Sequence, residues 1–359
     1  MENSPGLLRL GYDQFFDDNR VKLGANLDQV ARVTTEHRGA YDVVCEAGEY
    51  RATVTGRRML KASGRDEYPA VGDWVIISQD ENETKLIVDI LPRKTTLHKK
   101  YTSKDEAQLI ATNVDVAFIV ESIDRDHSLN RLERHVVLAR EGGIEPVIVI
   151  NKVDLSAEYD LDQIKDAIRD RFDGVDILQT STVSGSGLQM LASHIKAGKT
   201  YCFIGSSGVG KSSIINKLLQ EDRIATSAVG PKTGRGQHTT TARQMYSTLE
   251  GGIIIDNPGS REVGVADSET GVGEVFADIE AIASTCKFRD CKHIDEPGCA
   301  VQVALKAGSI DRAKFENYQK LQRETEYYKL NPYDKRQKDK NFGKFLKNAK
   351  KDLKRFKSK

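Results

Sequence analysis

The sequence predicts a multidomain chain of three folded modules. These are an N-terminal all-β barrel of the oligonucleotide-binding (OB) type, a central α/β domain built around a phosphate-binding loop, and a C-terminal helical zinc module. Three observations predict it. Residues 25–96 contain short alternating strands punctuated by turn residues. From about residue 113 the pattern changes to buried strands alternating with helices, with a glycine-rich loop after one strand. Between 286 and 299, three cysteines and one histidine fall within 14 residues.

The 359 residues, 38% of them hydrophobic, suffice for two to four globular domains. No apolar run approaches the roughly 20 residues of a membrane span. The first residues, MENSPGLLRLGYDQFF, lack the basic region and long apolar core of a signal peptide. The expectation is a cytoplasmic monomer with no membrane contact and with reduced cysteines. The formal net charge of +1 hides an asymmetry. Residues 331–359 carry ten lysines and two arginines against three aspartates, a net of +9, which leaves −8 on the other 330 residues. A basic tail on an acidic body points to a polyanionic partner, RNA first.

Taken in order, residues 1–24 form an extension in which Asp13 to Arg20 can be a short helix. In 25–96, runs at Ala31–Thr34, Tyr41–Cys45, Tyr50–Val54 and Asp73–Ile77 alternate between turns at Arg38-Gly39, Ala47-Gly48, Gly64 and Gly72-Asp73. About five short strands in this length fit an RNA-binding barrel of OB type. In 104–265, Val114–Val120 and Pro146–Ile150 read as buried strands on either side of a helix at Leu129–Arg140. Strand and helix then alternate as far as Ile253–Asp256, which implies a largely parallel sheet. Residues 266–330 read as helices at Glu274–Ser284, Cys299–Lys306 and Asp311–Lys329. In the tail, 331–359, Phe342, Phe345, Leu346, Ala349, Leu353 and Phe356 share one helical face among lysines. That pattern suits an RNA groove, a partner protein or a membrane surface, or else a solvated segment that folds on binding.

Three loops carry the chemistry. Gly205-Ser206-Ser207-Gly208-Val209-Gly210-Lys211-Ser212 follows the strand Tyr201–Ile204 and opens a helix at Ser213–Leu219, the context a phosphate loop requires. Its backbone N–H groups, with those of Ser213 and the helix N-terminus, face the phosphates. Lys211 reaches the β- and γ-phosphates, and Ser212 Oγ faces Mg²⁺. Asn151-Lys152-Val153-Asp154 follows a buried strand and selects guanine, because a carboxylate at Asp154 accepts from N1–H and the exocyclic amine, a donor pair adenine lacks. Thr180-Ser181-Thr182, at the end of a Val175–Gln179 strand, would meet the base edge through backbone N–H groups, Ser181 foremost. Asp256-Asn257-Pro258-Gly259 ends the strand Ile253–Ile255. There Asp256 holds Mg²⁺ through water and the Gly259 amide meets the γ-phosphate. Gly234–Thr241 is polar and glycine-rich, as a switch loop is, and Thr240 or a neighbouring threonine completes the Mg²⁺ shell. Ser260 stands where a Ras-like enzyme has its water-orienting glutamine, so His238 and Gln237, or a group from a partner, are the candidates for that role. Slow intrinsic hydrolysis accelerated by a partner follows.

The order of these loops is unusual. In an ordinary GTPase the phosphate loop comes first and the guanine loop last, whereas here residue 151 precedes residue 205. The α/β P-loop GTPase domain is therefore circularly permuted. In the last module, Cys286-x4-Cys291-x-His293-x5-Cys299 supplies four ligands for one closed, structural Zn²⁺. Cys45 and Cys202 lie in apolar strands and read as core residues.

The set resembles the circularly permuted, ribosome-small-subunit-dependent GTPase family over roughly residues 25–330. The resemblance rests on motif order, the His238-Thr239-Thr240 segment and the zinc spacing. It implies GTP and GDP as ligands with Mg²⁺ and one structural zinc ion. It also implies binding to the 30S subunit and its 16S rRNA during late assembly, hydrolysis timing release, and His238 as a water-positioning residue alongside Lys211 and Thr240. A large-subunit assembly GTPase, and an RNA-binding scaffold whose nucleotide is structural, are the alternatives. Because the chain passes from Gly259 and Arg261 into the zinc module, a γ-phosphate-driven shift at Gly259 is expected to pull on that module.

Overall fold

A computed structural model describes residues 5–56, 64–79, 84–100, 107–124, 127–220, 243–256 and 268–330, with isolated positions between 333 and 340. The segment from 221 to 242, with His238, Gln237 and Thr240, lies outside the described residues, as do Asn257 to Asp267, with Gly259, Ser260 and Arg261, and the tail beyond 340.

Five strands close the barrel: β1 (Val30–Glu36), β2 (Tyr41–Cys45), β3 (Gly48–Val54), β4 (Trp74–Gln79) and β5 (Lys85–Ile90). Their order is β1-β2-β3-β5-β4, and β4 returns to β1 through Val30↔Ile76, Ala31↔Val75 and Arg32↔Trp74. Every pair is antiparallel except β3–β5. The period-2 alternation of β2 and its neighbours sends Val33, Val43, Ala52, Val75, Ile77 and Ile87 inward as one core. β4 breaks that alternation, with its first four residues all buried. Helices α1 (Pro5–Arg9) and α2 (Gln14–Lys22) explain this, since Leu7, Tyr12 and Phe16 cover the outward-facing Trp74 and Ile76. Asp13 caps α2 by accepting from Phe15 N, which fixes where that helix begins.

An antiparallel hairpin, β6 (Thr96–Lys100) and β7 (Ala107–Thr112), joins the barrel to the α/β domain, and Leu97 and Ile110 pack into the α/β core. The sheet contains β8 (Val116–Ser122), β9 (Glu145–Asn151), β10 (Asp176–Gln179), β11 (Thr200–Ile204), β12 (Gln244–Ser247) and β13 (Ile253–Asp256). Its spatial order is β12-β13-β11-β8-β9-β10, parallel except for β12. Thr35↔Gln244 joins β1 to β12, so barrel and sheet are continuous. Helices α3 (Leu129–Glu141), α4 (Leu161–Arg171), α5 (Leu188–His194) and α6 (Lys211–Leu219) accompany the strands. Both sheet faces are covered: Ile119 and Ile148 pack with Leu132, Val136 and Ile168 on one side, and Phe118 and Val149 with Ile214 and Leu218 on the other. That is why these strands read as continuous apolar runs.

From β8 the chain steps outward to β9 and β10, but from β11 it runs the other way, to β12 and β13. The topological switch point therefore lies between β8 and β11, where an open α/β sheet leaves a crevice at its carboxyl edge.

The C-terminal module contains α7 (Glu269–Val275), α8 (Ala277–Ala283), α9 (Ala300–Ala307) and α10 (Arg312–Lys329). The single helix expected over Glu274–Ser284 is instead two helices meeting at Phe276, whose backbone is at φ −113° and whose ring is fully buried against Tyr318. Anchoring that ring in the module core turns the chain. Val137 of α3 enters the same core. Around it, Glu133 accepts from Arg171 Nε at 2.7 Å and Asn317 Nδ2 at 2.6 Å, and Arg134 makes a two-pronged pair with Glu324 at 2.6 and 2.8 Å. The module is thus clamped onto the helix that follows β8. No helix among the described residues is long and apolar enough to cross a membrane.

Candidate nucleotide site and metal centre

The strand tips at the switch point gather the residues that the loop motifs singled out. Asn151 ends β9, Asp256 ends β13, and the loop from Gly205 to Gly210 runs from β11 into α6. The loop's curvature needs glycine. Gly205 has φ +143°, and a Cβ there would sit 2.2 Å from Val120 O. Gly210 has φ +99°, and its Cβ would meet Asn151 Nδ2 at 2.3 Å. Lys211 Nζ donates to Gly205 O at 2.7 Å and Ser206 O at 2.6 Å, which holds its ammonium over the loop. Ser212 and Ser213 occupy the first turn of α6.

The guanine loop and the phosphate loop are joined directly. Asn151 Nδ2 donates to Val209 O at 2.7 Å, and Thr180 Oγ1 donates to Asn151 Oδ1 at 3.0 Å. Lys152 adopts a left-handed conformation, φ +63°, that turns the chain, and its Nζ pairs with Asp124 at 2.7 Å. Ser181 Oγ donates to Asp154 Oδ1 at 2.5 Å while accepting from Ser184 N at 3.0 Å, which fixes the carboxylate's direction. The expectation for Thr180–Thr182 concerned backbone groups facing a base. In the structure the backbone N–H of Thr180 donates to Ile150 O at 2.8 Å and that of Ser181 to Ser186 O at 2.9 Å, so both are engaged within the protein, while the side chains of Thr180 and Ser181 buttress Asn151 and Asp154. Asp124 was not singled out by sequence; it follows β8 in a loop with no motif, and only the parallel pairing of β8 with β9 brings it to Lys152.

Asp256 is buried at its strand tip. Burial pushes its carboxyl pKa up to about 6, opposed by the nearby Lys211. A buried carboxylate beside a phosphate loop is a donor set that suits a hard divalent cation, which would hold it ionised. Ser212 lies in the first turn of the helix after the loop.

The second centre lies in the C-terminal module. The four ligand atoms of Cys286, Cys291, His293 and Cys299 lie within 4.8 Å of one another. Cys286 Sγ is 3.9 Å from Cys299 Sγ and 3.6 Å from His293 Nδ1, and Cys299 Sγ is 3.5 Å from the same nitrogen. A tetrahedral zinc ion places sulfurs about 3.8 Å apart and sulfur about 3.5 Å from nitrogen, so the set fits. Two local devices present it. Glu296 accepts from Lys292 N and Ile294 N, each at 2.8 Å, and so shapes the turn that puts His293 at φ +57°. Gln302 Nε2 donates to His293 O at 2.6 Å. Burial lowers the His293 pKa, favouring the neutral imidazole that ligates metal.

Comparison with known proteins agrees with this geometry. Residues 90–266 match the RsgA GTPase family. A Small ribosomal subunit biogenesis GTPase RsgA 2 from Lactiplantibacillus plantarum is 40% identical over 84% of this chain and 85% of that protein. One from Vibrio parahaemolyticus is 38% identical over 98% of this chain and 95% of that protein. Among solved structures, YjeQ from Thermotoga maritima aligns with a TM-score of 0.59 at 29% identity, covering 83% of this chain and 98% of that one. YloQ, described as a circularly permuted GTPase, aligns with a TM-score of 0.58 at 25% identity, covering 84% and 96%. With full-length relatives at this identity and a permuted strand order, the chain belongs to the RsgA family of circularly permuted GTPases.

Proposed function

We propose that the chain hydrolyses GTP in late maturation of the small ribosomal subunit, that the 30S particle stimulates this hydrolysis, and that hydrolysis times release. The observation that carries the reading is the convergence of Asp154, Lys211 and Asp256 at one sheet edge, with Asn151 Nδ2 bonded to Val209 O between the guanine and phosphate loops. In this reading Asp154 accepts from the guanine edge, with Lys152 and Ser181 lining the base. The backbone from Gly205 to Ser213 cradles the phosphates, and Lys211 neutralises charge developing on the transferred group. Ser212, Thr240 and Asp256 hold Mg²⁺, and Gly259 meets the γ-phosphate. His238 positions the attacking water. Bound Mg²⁺ supplies charge neutralisation across the β- and γ-phosphates. The ion held by Cys286, Cys291, His293 and Cys299 is structural zinc, since four protein ligands leave no open position.

Relatives named for small ribosomal subunit biogenesis support the partner. We assign the barrel of residues 25–96 and the basic tail of 331–359 to 16S rRNA contact, 104–265 to hydrolysis and 266–330 to the zinc module, in a cytoplasmic monomer with no membrane role. One route from nucleotide to zinc module runs through α3. Asp124, paired with Lys152, lies just before that helix, and Glu133 and Arg134 within it grip α10. The test is GTP turnover by the purified chain alone, with 30S subunits and with 50S subunits. Acceleration by 30S only is the expected result. Acceleration by 50S only would make it a large-subunit factor, and normal GTP binding without turnover would make it a scaffold.

A further inference from the structure

The barrel reaches the candidate cation site through one strand. β12 lies between β13 and β1, and its first residue, Gln244, sits opposite Asp256 on one side and Thr35 of the barrel on the other. β11 is the other neighbour of β13, but that register runs only from Thr200↔Ile253 to Cys202↔Ile255. Among the described residues Gln244 is therefore the one ladder partner of Asp256, and Gln244 has the barrel behind it. A strand end paired on a single side is the part of a sheet that frays most readily. What steadies Gln244 thus steadies the backbone that carries the Asp256 carboxylate.

The steadying contact comes from Arg243. Among the described residues Thr35↔Gln244 is the sole register pair between β1 and β12, so the junction of barrel and sheet is narrow. Arg243 directly precedes Gln244. Its side chain is largely buried, and Nη1 donates to Glu36 Oε2 at 2.9 Å and to Leu109 O at 3.3 Å. Glu36 ends β1 and Leu109 lies in β7, so one guanidinium ties the start of β12 to the barrel and to the hairpin. Apolar packing backs only the next step inward, where Val71 of the barrel shares a core with Met245 and Ile255. The rung of Gln244 and Asp256 has no such anchor, since Gln244 is exposed and Asp256 is polar. An ion that demands near-octahedral geometry, with ligands at about 2.0–2.1 Å, tolerates little drift in a carboxylate that meets it directly or through a bound water.

We propose that Arg243 and Glu36 are positioning residues for the Mg²⁺ site: their pair pins the first rung of β12 to the barrel and so holds Asp256 in line with the cation. The inference rests on the reading of Asp256 as a Mg²⁺ group. It makes the barrel part of the construction of the nucleotide site, with Glu36 and Arg243 acting on that site through the Gln244–Asp256 rung.

The experiment titrates Mg²⁺ into the full-length protein with a fluorescent, non-hydrolysable GTP analogue and reads the Mg²⁺ concentration that gives half-maximal tight binding. The affinity for the same analogue is also measured in EDTA, without Mg²⁺. Arg243→Met should raise the half-saturating Mg²⁺ concentration about tenfold, as loss of a contact behind a metal ligand does, while affinity in EDTA stays within about twofold. Glu36→Gln should do the same from the barrel side, and the double variant should be no worse than either single one, because both remove one contact. Arg243→Lys, which keeps the charge beside Glu36, should stay near the unsubstituted value. Asp256→Asn tests the underlying reading and should raise the Mg²⁺ requirement at least as far. An unchanged requirement in Asp256→Asn overturns that reading and this proposal with it. A raised requirement in Asp256→Asn with none in Arg243→Met or Glu36→Gln overturns the proposal alone. Equal losses with and without Mg²⁺ also overturn it, by reducing the pair to general support of the fold. Should Arg243→Met fail to fold, Glu36→Gln decides.

Discussion

The nucleotide site and the metal centre are built in opposite ways. The metal centre takes its four ligands from 14 consecutive residues, and a local turn held by Glu296 and a hydrogen bond from Gln302 of α9 present them. The nucleotide site takes Asn151, Thr180, the loop after Ile204 and Asp256 from four strand tips spread over more than a hundred residues. Only the packed sheet brings them together. The difference teaches where each site's stability resides: the first depends on its ion, the second on a core sealed on both faces by Ile119 and Phe118 and their neighbours.

The largest effect should separate the two. Chelating the metal, or Cys291→Ser, removes binding energy on the order of 10 kcal/mol from a small helical module. Hydrogen exchange should then rise sharply in α8, α9 and the cysteine loop, while GDP affinity stays within about threefold. Collapse of GDP binding in the same sample would break the comparison. Glu133→Ala comes next. It strips Arg171 of its buried partner, leaving only the exposed Asp311 at 3.3 Å, and Asn317 of its shorter hydrogen bond, so a destabilisation of about 3 kcal/mol is expected by urea titration. A smaller loss would mean that the clamp between α3 and α10 contributes less than its burial implies.

Lys211→Ala should lower GTP turnover by about 10²–10³-fold, measured as phosphate release, with the fold intact by circular dichroism. Turnover near the unsubstituted rate would remove that lysine from the chemistry. Ser181→Ala should have the smallest effect. It removes the hydrogen bond that orients Asp154 but not the carboxylate, so GDP affinity should fall by about fivefold, or roughly 1 kcal/mol, in a calorimetric titration.

Legibility in the sequence follows the same division. The cysteine spacing and the loops around 151, 205 and 256 are visible because each is a short run with its flanking strand. Asp124, the Thr180–Asn151 bond and the Glu133–Asn317 contact are not, since each pairs across a distance in sequence that only the sheet order or the docking of α10 closes. The strand holding Trp74 and Ile76 was legible, but not that both its faces are buried, because the N-terminal segment that covers them carries no signal of where it docks. β5 shows why about five strands could be expected while only four were located, for of its six residues only Ile87 is buried. The break at Phe276 has no proline or glycine to announce it; a buried ring causes it.

The most direct test of a guanine site in this permuted sheet is nucleotide choice by Asp154→Asn. The substitution exchanges a carboxylate oxygen for an amide donor facing the base. Xanthine carries an acceptor oxygen where guanine carries an amine. Calorimetric titration with GDP and with xanthosine diphosphate should show the unsubstituted chain preferring GDP and the variant preferring the xanthine nucleotide, each by about 10²-fold or more. GDP bound as tightly by Asp154→Asn as by the unsubstituted chain would contradict the account.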